Sequence, residues 1–260
     1  MKVPAPASCL LLPVLALLAA CMKGAPPAEP QFPLPHPAAE TGMRCGTLGN
    51  ITMKFPSRYN FLGVTYVGVD YWDGTSRSDA AKWCDDQLQE ATFSVIWPGL
   101  AAATGASWFT STDPKFMAIS VSRDTGGDPG AVLAWRLQRE AGDGLQPAVL
   151  RDRKEIEASK AWSDALGLYM IDANTFSAGN RRRVFWQESG DGVVSLLITC
   201  TINVATRQSR CSQLSHDQER NAWMEVEYRI PLLSRWRDLD EASSKLVESF
   251  TIAHGAAGDT

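Results

Sequence analysis

From Arg182 to Leu232 the chain is a succession of short alternating apolar runs: "RRVFWQES" (182–189), "GVVSLLITCTINV" (192–204), "RCSQLSH" (210–216) and "AWMEVEYRIPL" (222–232). A period of two puts alternate side chains on opposite faces of a strand. Runs joined by short turns pair antiparallel. The sharpest turn signal is "SGDG", which puts Asp191-Gly192 at a hairpin tip. A meander of four or five such strands cannot cover its own faces, so helices have to pack on it. The chain supplies one directly afterwards. In "LLSRWRDLDEASSKLVESF" (232–250), Leu232, Leu233, Trp236, Leu239, Leu246, Val247 and Phe250 fall mostly on one helical face.

Upstream, "NITMKFP" (50–56), "FLGVTYVGVDYW" (61–72), "TFSVIWP" (92–98), "FMAISVSRD" (116–124) and "LGLYMID" (166–172) read as strands. Three segments read as helices. "SRSDAAKWCDDQLQEA" (76–91) has Ser76 or Ser78 as cap. "GDPGAVLAWRLQREAGDG" (127–144) has Asp128 as cap, Pro129 in the first turn and Gly142 as a stop. "DRKEIEASKAWSDALG" (152–167) is strongly charged. Runs of strands sealed by helices define an α+β class with antiparallel sheet and a C-terminal amphipathic helix. The pattern also admits two lobes divided near residue 165.

The first twenty residues are of another kind. Met1-Lys2 precede an apolar stretch from Ala7 to Ala20, interrupted by Pro13. It is shorter than the ~20 apolar residues that span a bilayer and reads as a cleaved signal peptide. "Leu18-Ala19-Ala20-Cys21" resembles a bacterial lipobox, with cleavage before Cys21 and lipidation of its sulfur and new amino terminus. The alternative is an ordinary signal peptide cut at the same place. One acyl chain, such as palmitate, anchors marginally at ~0.8 kcal/mol per buried methylene, so three chains on Cys21 hold a protein durably. Met22 follows the cysteine where inner-membrane lipoproteins carry Asp. The lipoprotein sorting rule therefore implies an outer-membrane anchor facing the periplasm of a Gram-negative cell. Residues 22–42 contain six prolines, which exclude regular helix and favour an extended tether of ~3.1 Å per residue. The expected organisation is signal peptide 1–20, tether 21–44 and globular body 45–260.

In an oxidising compartment the four body cysteines, Cys45, Cys84, Cys200 and Cys211, form two disulfides. Of three pairings, Cys45–Cys84 with Cys200–Cys211 is expected, because each pair is local in sequence. Loop entropy assigns them ~4 and ~3 kcal/mol. Zinc is not expected: there is no CxxC, and no histidine lies close to a cysteine pair. Removing the signal peptide takes away only Lys2, leaving 25 − 1 = 24 basic against 29 acidic residues, a net −5. That balance argues against nucleic acid as a partner. The one basic run, Arg181-Arg182-Arg183, opens a strand and reads as its solvated end.

No motif carries catalysis. GxSxG, HExxH, a P-loop and GxGxxG after a strand are all missing from the sequence, and no cofactor is implied. Ser215-His216-Asp217 are consecutive, so they point apart and form no triad. His254 lies in a small-residue tail and His36 in the tether. Asp85, Asp86 and Glu90 read as the solvated face of the 76–91 helix, and Glu225 and Glu227 as the wet face of a strand. The nine tryptophans read mostly as core or half-core. Trp108 and Phe109, within the loop 99–115, are the candidate binding residues, since a loop aromatic pair can be an interface hot spot.

The body opens with "MRCGTLGNITMKFPSRY" and closes with "GVVSLLITCTINVATRQSRC" and "EVEYRIPLLSRWRDLDEASSKLVESF". This cysteine pair, followed by a strand, Leu232-Leu233 and a tryptophan-bearing last helix, resembles the immunity lipoproteins paired with type VI secretion phospholipase effectors. The likeness spans residues 43–252. It implies a non-enzymatic periplasmic protein that binds a secreted lipase effector and occludes it. Its motifs are diffuse, and no binding residue carries over. Two other classes stay open: an envelope-assembly or secretion-accessory lipoprotein, and a periplasmic enzyme with a carboxylate site.

Overall fold

Two antiparallel sheets and three α-helices organise the described residues, which in this computed structural model are 39–60, 64–69, 82–106, 110–142, 149–173, 180–203 and 209–252. All lie within one compact unit, Leu34–Thr260. The small sheet is a hairpin of β1 (Met43–Leu48) and β2 (Ile51–Pro56), joined by β13 (Thr251–Ile252). The large sheet begins with β3 (Val64–Tyr66), β4 (Leu88–Ile96), β6 (Phe116–Arg123) and β12 (Ala222–Arg229). It continues through β11 (Ser209–Asp217), β10 (Val194–Asn203), β9 (Asn180–Glu188), β8 (Leu168–Ala173) and β7 (Ala161–Ser163), in that spatial order. A short β5 (Ala101–Ala102) pairs with β4. The α+β class is what the alternating pattern requires. The β6–β12 pairing inserts the C-terminal meander beside strands that precede residue 165.

α1 (Pro129–Ala141) starts where Asp128 accepts hydrogen bonds from the Gly130 and Ala131 amides, at 3.1 and 3.2 Å, and stops at Gly142. α2 (Arg153–Ser159) is capped by Asp152, which accepts from Lys154 N at 2.7 Å. α3 (Trp236–Phe250) closes the body, with Trp236, Leu239, Val247 and Phe250 buried.

Three expectations are corrected. The 76–91 helix does not reach Glu90. Trp83 to Asp86 form a turn in which the Asp86 carboxylate accepts from Trp83 N at 2.9 Å and from Lys82 Nζ at 2.6 Å, and β4 already begins at Leu88. Side-chain capping of a turn by Asp competes directly with helix. Asp86 is therefore a turn residue and Glu90 a strand residue. Residues 70–81 lie outside the described residues. The helix expected over 152–167 ends at Ser159, because Ala161–Ser163 pairs with β8. The last helix begins at Trp236 rather than at Leu232, after a 3-10 segment over Ile230–Arg235 that starts with Pro231 near its N-terminus.

The main core lies between the inner face of the large sheet and the small sheet with α3. Phe55 stacks edge-on against Phe93 at 4.9 Å, and Phe250 lies 5.1 Å from Phe93. One polar cluster is enclosed there. Gln213, fully buried, donates to Asp240 Oδ1 at 2.8 Å and accepts from the Tyr228 hydroxyl at 3.3 Å. Burial pushes the Tyr228 phenol far above its ordinary value, and the Asp240 charge adds to that. Burial likewise lifts the Asp240 carboxyl; the Gln213 bond opposes the lift and Asp217 reinforces it. Both disulfides, Cys45–Cys84 and Cys200–Cys211, are present. Cys200 and Cys211 are directly opposed in the β10–β11 register.

Candidate functional site

The strand registers place one row of side chains across the outer face of the large sheet: Thr92, Ser120, Glu225, Leu214, Leu197, Trp186, Tyr169 and Trp162, from β4 to β7. Directly paired residues share a face, so this row describes the surface. It changes character halfway. From Leu197 to Tyr169 it is apolar and covered: α1 and α2 lay Leu133, Leu137, Ala141 and Ile156 onto Leu197, Trp186, Val184 and Ile171. From Thr92 to Glu225 it is hydroxyl and carboxylate. The adjoining row, Glu90, Ser122, Trp223 and His216, continues that polar character. On the other side of the Thr92–Glu225 row, the segment after β4 folds over the same face, packing Ala103 and Ala106 on Phe116 and Ala118.

Where α1 ends its cover, a cleft of about 220 Å³ opens. Arg136 and Glu140 of α1 form its wall, and Thr199, Thr201, Arg210, Ser212, Glu225 and Glu227 of β10, β11 and β12 its floor. Most of its charges are already matched: Arg210 lies 3.6 Å from Glu227, and Arg182 lies 3.6 Å from Glu140. Glu225 is exposed, and among the described residues it accepts a hydrogen bond from the Ser212 hydroxyl at 2.5 Å without a cationic partner. Beneath the floor, on the inner face, the Cys200–Cys211 bond ties β10 to β11.

The end of α2 is fixed by a charge cluster. Lys160 sits 4.1 Å from the Tyr169 ring centroid, 2.6 Å from Glu157 and 3.2 Å from Glu188. Burial disfavours its charge, but the bonds to Glu157 and Glu188 outweigh burial and hold its pKa above the ordinary value. Glu157 is held below the usual carboxylate range by its bond to Lys160, against partial burial. This anchors the helical half-cover to β9.

The residues singled out from sequence fare differently. Trp108 and Phe109, like Cys21, His36 and His254, lie outside the described residues. The described flanks of their loop pack down: Leu100 is buried, and Arg229 donates to the Ser111 carbonyl at 2.8 Å. His216 does not engage its sequence neighbours. Its Nε2 meets Asp124 Oδ2 at 3.1 Å, its ring lies edge-on to Trp223 at 4.9 Å, and Asp217 bonds Arg220 instead. His216 Nδ1 is buried without a hydrogen-bond partner. Glu225 and Glu227 do share the wet face of β12. Of the basic run, Arg181 is exposed, while Arg182 reaches Glu140 and Arg183 reaches Asp172 at 2.6 Å. Two of the tryptophans expected in the core or half-core are more open than the others described: Trp135 is 47% and Trp162 54% exposed.

The fold and this face define a disulfide-stapled α+β body with a half-covered sheet. No protein-family model and no curated protein matches the sequence. Among solved structures, it is similar to an immunity protein of the Stenotrophomonas maltophilia type IV secretion system, at 13% identity and a TM-score of 0.44, over 81% of this chain and 94% of that one. At that distance the likeness carries no argument about activity.

Proposed function

We propose that this chain is a lipoprotein anchored through Cys21, facing the periplasm, that binds a secreted type VI lipase effector and neutralises it by occlusion without catalysis of its own. The observation that carries this reading is the polar half of the outer sheet face, left open by the helices among the described residues, with its cleft. It is a floor of paired strands, cross-linked by Cys200–Cys211 and walled by α1. Rigid, preformed surfaces lose little conformational entropy on association, and this favours the tight capture that a lethal enzyme demands. Nanomolar affinity corresponds to ~12 kcal/mol. A proline-rich tether would keep the surface at the membrane where a lipase acts and raise its local concentration there.

An immunity gene should sit beside a lipase-like toxin gene; the test is to produce that neighbouring gene's product in the periplasm, with and without the full-length protein. Wild type and a folded His216→Ala variant should both protect, because the mechanism uses no acid–base group. Glu225→Arg, at the centre of the open face, should protect poorly. Persisting toxicity with abundant, correctly localised wild-type protein sinks the proposal, and so does loss of protection in a folded His216→Ala variant.

A further inference from the structure

The outward surface of α1 carries a second, differently charged patch. Trp135, Gln138, Arg139 and Gly142 fall at i, i+3, i+4 and i+7, on one stripe opposite the buried Leu133, Leu137 and Ala141. Residues 149–151 run along that stripe. The Arg151 amide donates to the Gln138 carbonyl at 3.0 Å, and a Cβ at Gly142 would strike the Val149 carbonyl. Trp135, Val149 and Leu150, which are 47%, 61% and 44% exposed, therefore lie along one side of α1, three of the seven large hydrophobic side chains exposed among the described residues.

Arginines surround them. The Arg136 and Arg139 guanidiniums lie 5.9 and 5.7 Å from the Trp135 ring centroid, and Arg151 follows Leu150 directly. Among the described residues none of the three has a carboxylate within ion-pair distance. Of the described acids nearby, Asp152 caps α2 and Glu140 pairs with Arg182. Tryptophan and arginine are the side chains that dominate interface hot spots, and a guanidinium matches a carboxylate in two-pronged fashion. On a chain of net charge −4, an apolar patch with three arginines that have no carboxylate partner among the described residues is complementary to an acidic protein surface. Anionic lipid fits less well: lipid-binding clusters hold about four to eight basic residues, and the body's net charge repels such a membrane.

We propose that the Trp135–Arg136–Arg139 face of α1, with residues 149–151, docks an acidic surface of a folded protein partner. The proposal rests on the binding-protein reading above only in taking the occupant to be a protein. A photo-cross-linking residue placed at Trp135 in the full-length, membrane-anchored chain should capture one protein in the envelope; the same residue at Lys245 on α3 should not. That protein is then purified and its Kd measured by calorimetry. Trp135→Ala should weaken binding by about 30-fold or more, the hot-spot threshold, with an unchanged melting temperature. Arg139→Glu with Arg151→Glu, which leaves the cleft-wall residue Arg136 in place, should weaken it further, and a carboxylate-to-lysine change on the partner should restore binding to that double variant. Three results overturn the proposal: no capture at Trp135, charge swaps without rescue, or arginine-dependent binding to phosphatidylethanolamine–phosphatidylglycerol vesicles in place of protein. Should a lipase be neutralised through contacts at Glu225 while Trp135 captures nothing, this docking face falls and the immunity reading stands. Should the Trp135 partner be captured and rescued while no lipase is neutralised, the reverse holds.

Discussion

Replacing Cys45 and Cys84 by alanine should destabilise the body more than replacing Cys200 and Cys211. The pairs are separated by 39 and 11 residues. In the chain-entropy account the denatured state regains loop freedom worth ~3.9 and ~2.8 kcal/mol respectively. Against a typical domain stability of about 5–15 kcal/mol these are large fractions. At about 2–4 °C per kcal/mol for a body of this size, they correspond to melting-temperature losses of about 8–16 and 6–11 °C. Structure widens the gap. Cys200 and Cys211 sit within a β10–β11 ladder of seven paired positions, which still holds those strands when the bond is gone. Cys45–Cys84 joins β1 to the turn before β4, where the main-chain link is Thr47 N to the Asp86 carbonyl at 2.8 Å. Truncation loses packing in both variants, since Cys45, Cys200 and Cys211 are all buried, so the ranking rests on the loop lengths and the ladder. Urea unfolding followed by tryptophan fluorescence measures both double variants, and hydrogen exchange should show β1 opening ahead of the large sheet in the first. An equal or reversed ranking, or a loss below about 1 kcal/mol in the Cys45/Cys84 variant, would refute the reasoning.

The apolar runs between 182 and 232 made the meander legible: β12 alternates with period two, and β11 in part, because each buries one face, while β9 and β10, buried on both faces, read as near-continuous apolar runs bounded by turns. β11 and β12 came out within a residue of their expected starts, as did the hairpin at Asp191-Gly192 and the Asp128 cap of α1. The failures have a common cause. At 82–86 and at 160–163 the chain has helical composition, but local side-chain capping by Asp86 and pairing of Ala161–Ser163 with β8 win over propensity. The site was less legible than the fold. Glu225 and Glu227 look like any wet strand face until register places them beside Ser120, Ser212 and the α1 wall. The Asp124–His216 contact spans 92 residues and has no local signal at all. Trp135 has helical spacing to the buried stripe that is easily misjudged: two positions from Leu133 and two from Leu137, it points away from both. What could have flagged it is its setting, "AWRLQRE", where arginines stand one and four residues on.

Three further outcomes are expected. Leu137→Ala, at a fully buried position between α1 and β9–β10, should cost about 2–5 kcal/mol in denaturant unfolding. Because α1 walls the cleft, partner binding should weaken beyond what the unfolded fraction explains, and unchanged affinity in the folded fraction would count against the site. Cys21→Ser should abolish lipidation, so the protein should leave the outer-membrane fraction and lose its acyl mass; continued membrane partitioning would overturn the anchor. The last concerns pH. Burial raises the Asp240 carboxyl pKa in the folded state above its unfolded value of 3.8. Between those two values the native state therefore holds more protons than the unfolded one, and stability falls as pH rises through that window. Below it both states are protonated and the penalty vanishes; above it the penalty is complete. Asp240→Asn keeps an oxygen that can accept from Gln213 Nε2 and has no charge to desolvate. The variant should match the wild type near pH 3 and exceed it in stability at neutral pH, the gap opening as pH climbs past 3.8. Parallel urea titrations of the two proteins across this range decide it. A gap that is constant with pH, or that closes on raising it, would mean that the Gln213 bond and its neighbours hold the carboxylate more strongly than burial disfavours it.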